Sequence, residues 1–209
     1  MIWQEVVLVV AAVLALAVWA VWVQASRLDR LHRKVAASRS ALDRQLVRRA
    51  SAAVELASSG LLDPASALIL GDAAWSAATV GGEPDEASLG LEELVPRPGG
   101  ASPGSPEREQ VESELSRTLR TVLDDDEALA GLDAHPVGGP LVEALAAAWF
   151  RVHLARRFHN EAVRQTLRVR GKVLVRLLHL AGHAPLPRTV ELDDAWPDAF
   201  DRRAARRAA

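Results

Sequence analysis

Residues 6–23 read VVLVVAAVLALAVWAVWV, a run without a single charged side chain. At about 1.5 Å per residue, a helix of about 20 apolar residues crosses the hydrocarbon core of a bilayer. Trp3 lies near one end of the run, and Trp19 and Trp22 lie near the other. Indole rings favour those interfacial positions. The reading is a transmembrane helix over residues 1–25 that tethers everything after it.

Two rival readings fit less well. A signal peptide needs a basic start, a shorter apolar region and a small-residue cleavage site. Here the start carries Glu5 and no Lys or Arg, and Val23-Gln24-Ala25 is a loose cleavage match. A buried core helix would show polar residues on one face, and the run has none.

The flanks set the expected orientation. Arg27, Arg30, Arg33, Lys34 and Arg39 follow the run, offset by Asp29, whereas the other side offers only the α-amino group and Glu5. Lys and Arg excess marks the cytoplasmic side. The expectation is a single-pass protein of the cell membrane, with a short N-terminus outside and the body in the cytoplasm. The absence of cysteine is compatible with a reducing compartment.

About 185 residues remain beyond the anchor, enough for one domain with a core. Aromatic residues make up 4% of the chain and tyrosine is absent. Ala, Leu, Val and Arg dominate, which favours packed helices, and no strand alternation is evident. The net charge is −2, yet unevenly spread. Residues 27–57 are basic, the stretch from Asp63 to Asp133 is acidic, and Leu141 to Arg188 is basic again. Either the helices complement one another internally, or the basic segments attract anionic lipid. Nucleic acid is not expected, because no base-reading module is present and no aromatic residues interleave with the arginines.

Apolar positions Leu28, Leu31, Val35, Leu42, Leu46, Ala50 and Leu56 recur at helical spacing, predicting a helix from Ser26 to Ser59 that ends at Gly60. Gln24-Ala25-Ser26 holds no breaker, so this helix can continue the anchor. Asp63-Pro64 reads as a cap and first turn for a short helix that buries Leu68, Ile69, Ala73, Trp75 and Ala78. Residues 81–106 are rich in Gly, Pro, Ser and acids and read as a mobile loop. Ser105-Pro106 opens another helix, with Val111, Leu115, Leu119, Val122 and Leu123 on its inner face. The Asp124–Glu127 cluster reads as that helix's end, before a turn at residues 135–140. A long last helix is expected from Leu141 to Ala181, its buried stripe running from Leu145 through Trp149, Val152 and Val163 to Leu167, Val173, Leu174, Leu177 and Leu178. Gly171 is a possible bend and Gly182 a cap. Residues 189–209 read as a charged tail with a frayed end at Arg202, Arg203, Arg206 and Arg207.

Two segments resemble the LemA family. Val35-x6-Leu42-Asp43-x-Gln45-Leu46-x-Arg48-Arg49 is similar to that family's segment just after its anchor. Ala155-Arg156-Arg157-Phe158-His159-Asn160-Glu161-Ala162-Val163 is similar to its A-R-x-x-[FY]-N-x-A-V signature, and Leu186-Pro187 to Glu191 resembles its close. The chain departs at Arg39, where the family carries tryptophan, at Val54-Glu55 in place of Pro-Asn, and at Leu167 in place of a second asparagine. The resemblance spans nearly the whole chain and implies a divergent member: a membrane-anchored antiparallel bundle of long, coiled-coil-like helices over residues 26–188. It brings no catalytic residues.

Candidate chemistry is thin. His179 and His183 stand four apart, the spacing of two metal ligands on a helix, but Gly182 interrupts them and no third ligand is evident. Asp124 to Glu127 lacks calcium-loop spacing. Gly81-Gly82 and Gly99-Gly100 lack the lysine and strand of a phosphate loop. No nucleophile and base can be assembled, so no enzyme activity, cofactor or metal is expected. Asn160 is expected to fix register through an interhelical or a side-chain-to-backbone hydrogen bond, and Arg48 and Arg49 to pair with acids of the middle helices. The leading expectation is a scaffold or interaction module with a protein partner or self-association. The alternative is a sensor of anionic lipid using Arg27, Arg30, Arg33, Lys34, Arg164, Arg168, Arg170, Lys172 and Arg176. A membrane-bound hydrolase is the third reading.

Overall fold

The computed structural model describes residues 2–81, 106–182 and 184–208. The expected mobile loop, the Ser105 cap and His183 lie outside the described residues. Seven helices and no strand occur among the described residues. They are α1 (Ile2–Ser58), α2 (Pro64–Gly81), α3 (Pro106–Leu123), α4 (Asp126–Ala134), α5 (Gly138–Arg170), α6 (Val173–Leu177) and α7 (Asp198–Ala208).

α1 is one uninterrupted helix of 57 residues. Its first part is long and apolar enough to cross a membrane, and the most apolar stretch is not buried against protein at all. Ser59 then bonds back to the Leu56 carbonyl, and Gly60 takes φ +72°, which a side chain resists. Asp63 caps α2 by accepting from the Ala65 and Ser66 amides at 3.1 Å each.

The chain clusters into two compact units. One comprises Ser38–Asn160 with Thr189–Ala209. Its main core gathers Ala50, Ala53 and Leu56 of α1, Leu70, Ala74 and Ala77 of α2, and Leu115 and Leu119 of α3. Leu129 and Leu132 of α4, Leu145 and Trp149 of α5, and Phe200 of α7 complete it. A second cluster holds Leu42 and Leu46 of α1, Val152 of α5, and Val190 and Leu192. The other unit comprises Met1–Ala37 with Glu161–Arg188. Its core is small: Leu28, Leu31, Val169 and Val175, with Leu180 and Ala181 packed against them.

Five expectations are corrected. α2 buries Leu70, Ala73, Ala74 and Ala77, leaving Leu68, Ile69 and Trp75 outside, because its small residues seat it closely on its neighbours. α3 does end at the acidic cluster, at Leu123, but the cluster also begins a helix: Asp125 caps α4 by accepting from the Glu127 and Ala128 amides. Carboxylates are favourable there, against the unbonded amides of a first turn. α5 starts at Gly138 and ends at Arg170, where Gly171 and Lys172 leave the helix and the five-residue α6 follows. As a result Val173, Leu174, Leu177 and Leu178 are exposed, not a buried stripe, and so is Leu167. Finally, residues 189–208 are no frayed tail. Val190 and Leu192 are buried, and α7 places Ala199 and Phe200 in the main core.

Candidate functional site

The motif residues of α1 sit where a periodic helix puts them. Leu42 and Leu46 face inward, Arg48 faces solvent, and Asp43 and Gln45 are half-buried. Arg49, one position before Ala50, falls on the buried side and is fully enclosed. Its guanidinium donates to Ser116 Oγ at 2.9 Å, to the Glu112 carbonyl at 3.1 Å and to Glu112 Oε2 at 2.9 Å. Arg108 Nε donates to the other Glu112 oxygen at 3.0 Å. The Arg49 guanidinium carbon also stands 5.2 Å from the centre of the Trp149 ring, a cation–π placement. Arg49 thus makes the expected pair with an acid of a middle helix, and both partners are removed from water.

The signature on α5 divides by face. Phe158 is exposed, whereas His159 and Asn160 are buried. Asn160 pairs with the backbone of Val190 in both senses, Nδ2 to the carbonyl at 3.0 Å and Oδ1 from the amide at 2.9 Å. Of the two bonds expected of it, the asparagine makes the side-chain-to-backbone one, and so holds the extended segment. The His159 ring nitrogen Nδ1 lies 3.1 Å from Ser38 Oγ.

Further along that segment, Asp194 is buried and receives both Arg156 nitrogens at 2.8 Å, with His153 Nδ1 at 3.0 Å. The indole of Trp149 donates to the Asp194 carbonyl at 3.2 Å. Arg120 donates to both oxygens of Asp193, which holds the Asp193 carboxyl below the usual carboxylate range and raises Arg120. The arginines of α7 do the same at its end. Arg202 and Arg206 both reach Asp126, lowering its carboxyl, and Arg203 pairs with Asp133 at 2.6 Å and with the Gly139 carbonyl. Arg202, Arg203 and Arg206 are thus clasped to acids of the α3–α4 region. None of these contacts was legible, because each joins residues far apart in sequence, from 38 positions for Arg156 and Asp194 to 80 for Arg206 and Asp126.

The basic candidates collect in the other unit. Arg27, Arg30, Arg33 and Lys34 are exposed on α1, with Arg33 paired to Asp29 at 2.8 Å. Arg164 and Arg168 both pair with Glu161. Arg170 is committed internally, donating to the Ala184 carbonyl at 2.8 Å and the Pro185 carbonyl at 3.1 Å. Lys172 and Arg176 are exposed. Burial lowers the His32 imidazole, nearby Arg170 adds to that, and Asp29 opposes it.

Two surface features were not anticipated. Phe150, Leu154 and Phe158 stand at i, i+4 and i+8 on α5, all exposed, although Trp149, Val152 and Asn160 of the same helix are buried. Residues four apart share one helix face, so these three form an apolar stripe. Leu68, Ile69 and Trp75 are exposed on α2. Among the described residues, no group of three or more His, Asp or Glu side chains is placed to hold a metal ion. The His153–Asp194 pair is spent on Arg156 and on anchoring the extended segment; no nucleophile is hydrogen-bonded to that histidine. The arrangement is built of structural ion pairs and exposed apolar faces. Comparison with known proteins yields no matching family model, no matching curated protein and no matching solved structure.

Proposed function

We propose that this chain is a single-pass membrane protein whose helical body docks a protein partner through an apolar helix face, with no catalytic step of its own. The observation that carries the reading is the Phe150–Leu154–Phe158 stripe, three large apolar side chains left in solvent on a helix that buries Leu145, Trp149 and Val152. Exposed apolar clusters of this kind mark interaction surfaces, whereas isolated exposed residues do not. The helix-in-groove mode reads such i, i+4 anchors.

The anchor is α1. Its apolar stretch is exposed throughout, and Arg27, Arg30, Arg33 and Lys34 follow within its next turns. That asymmetry supports a body on the cytoplasmic side. α1 and α5 are antiparallel in this reading, supported by Ser38 meeting His159 at one level, Leu46 clustering with Val152 at the next, and Leu56 with Leu145 beyond. The resemblance to the LemA family points to the same architecture, an anchored antiparallel bundle.

A photoreactive residue replacing Leu154 tests the docking face in the native membrane. It should yield a discrete adduct, to a partner or to a second copy. The same group at Ser51, exposed elsewhere, should yield none. Equal capture at both positions, or none at Leu154, contradicts the reading.

A further inference from the structure

The segment from Gly171 to Leu186 has chemistry that the docking reading leaves unused. α5 stops at Arg170, and the chain enters α6 through Lys172 in an extended conformation. His179 and Gly182 both adopt positive φ, +49° and +54°, and the Leu180 amide bonds back to the Val175 carbonyl. The Arg170 guanidinium then grips the Ala184 and Pro185 carbonyls and closes the loop at its base. Only Val175 of α6 is buried; it packs with Leu28 and Leu31 of α1 and Val169 of α5. Val173 is 81% exposed, Leu177 72% and Leu186 65%, with Leu174 and Leu178 also outside. A five-residue helix presenting that many aliphatic side chains to water has no stabilising account as a solvent-facing element.

Its height along α1 supplies one. Leu28 and Leu31 lie five and eight residues past Val23, the last residue of the apolar stretch, or about 7 to 12 Å along the helix axis. The headgroup layer extends about 5–8 Å beyond the hydrocarbon core, so Leu28 stands at its outer edge. Lys172 and Arg176 flank the apolar positions, and long cationic side chains of that kind carry their charge to phosphate while their stems stay in apolar surroundings. Arg27, Arg30, Arg33 and Lys34 stand at the same stretch of α1.

We propose that the α6 loop is a second, monotopic membrane contact: Val173, Leu177 and their neighbours insert into the headgroup–acyl boundary of the bilayer that α1 crosses. The occupant of this surface is lipid, not a protein groove. The proposal rests on α1 spanning the membrane, so its test must separate the two.

The chain has no cysteine, so single-cysteine variants carry a fluorophore at one place. Leu177→Cys, Val173→Cys, Leu14→Cys and Ala130→Cys replace exposed residues of the full-length protein, reconstituted in phosphatidylcholine vesicles. Doxyl lipid carrying its spin label high on the acyl chain should quench the Leu177→Cys and Val173→Cys probes by about half or more, and the Ala130→Cys probe little. The quenching should persist in high salt. Lipid labelled deep in the chain should quench Leu14→Cys, which reports the span itself. Quenching at Leu14→Cys without quenching at residues 173 and 177 overturns the loop proposal and leaves the anchor standing. Quenching at 173 and 177 that requires anionic lipid and vanishes in salt overturns insertion in favour of surface adsorption. No quenching at Leu14→Cys removes the anchor, and the loop proposal falls with it.

Discussion

Arg49, Glu112 and Arg108 form the most demanding contact in the protein, because a single buried carboxylate serves two buried guanidiniums. Removing one partner of a buried ion pair costs about 3–5 kcal/mol, since the other is left charged and dry. The cluster is asymmetric, and that makes a prediction. Glu112→Gln removes the carboxylate that Arg49 meets at 2.9 Å in the dry interior and should destabilise the full chain by about that amount in denaturant titration. Arg49→Met leaves Glu112 paired with Arg108 and fills the space beside Trp149 with an unbranched apolar chain, so it should cost clearly less. Equal losses would mean that the carboxylate does not bridge. Two glycines give a matched pair of the opposite kind. A Cβ at Gly138 would lie 2.3 Å from the Leu132 carbonyl oxygen, backbone that cannot swing aside. A Cβ at Gly71 would meet only the Ala57 methyl, at 3.8 Å, an ordinary contact. Gly71→Ala should raise stability by up to about 1 kcal/mol through helix propensity alone. Gly138→Ala should lower the melting temperature sharply, because the α4–α5 corner has to open to admit it. Both are read from the same thermal melt.

At the scale of elements, α7 and the extended strand-like segment before it are held by carboxylates, and acid should loosen them first. Hydrogen bonds from Arg120 hold Asp193 below the usual carboxylate range, and bonds from Arg206 and Arg202 do the same for Asp126. A carboxyl lowered by folding contributes stability that is fully present above its unfolded value, about 4, and is lost as pH falls through the folded value. The unfolding midpoint should therefore drop between about pH 5 and pH 2, and Asp126→Asn with Asp193→Asn should flatten part of that fall while lowering stability at neutral pH. An unchanged acid profile in the double variant would show that these pairs are spectators. The same elements mark where the sequence was and was not readable. α1 was legible because its apolar positions repeat over many turns without Gly or Pro, and α2's start was legible because a cap is a local device. The inner face of α2 was not, because alanines carry it and three larger side chains point away. Asp125 could have been recognised as a helix start, since acids favour a first turn and oppose a last one. The fate of residues 189–208 was beyond local reading: Asp194 finds Arg156, and Arg203 finds Asp133, only after the chain has folded back. For the candidate site, the inward positions of Leu46 and Asn160 follow from spacing. That Asn160 grips Val190, and that Phe158 faces outward, does not.

At the scale of the whole molecule, the account ties an apolar helix to a helical body by charge. Among the described residues nothing covers the exposed stretch of α1, and in the proposed topology the arginines that follow it mark the cytoplasmic side. The proposed docking face is Phe150, Leu154 and Phe158, exposed on α5. The direct test is thiol accessibility in sealed, alkaline-washed membrane vesicles bearing an Ala130→Cys chain, since residue 130 is exposed on α4 and no other cysteine competes. An impermeant maleimide should label inverted vesicles and leave right-side-out vesicles unlabelled until detergent is added. Recovery of the chain in the alkaline wash, or labelling of right-side-out vesicles, would contradict the account.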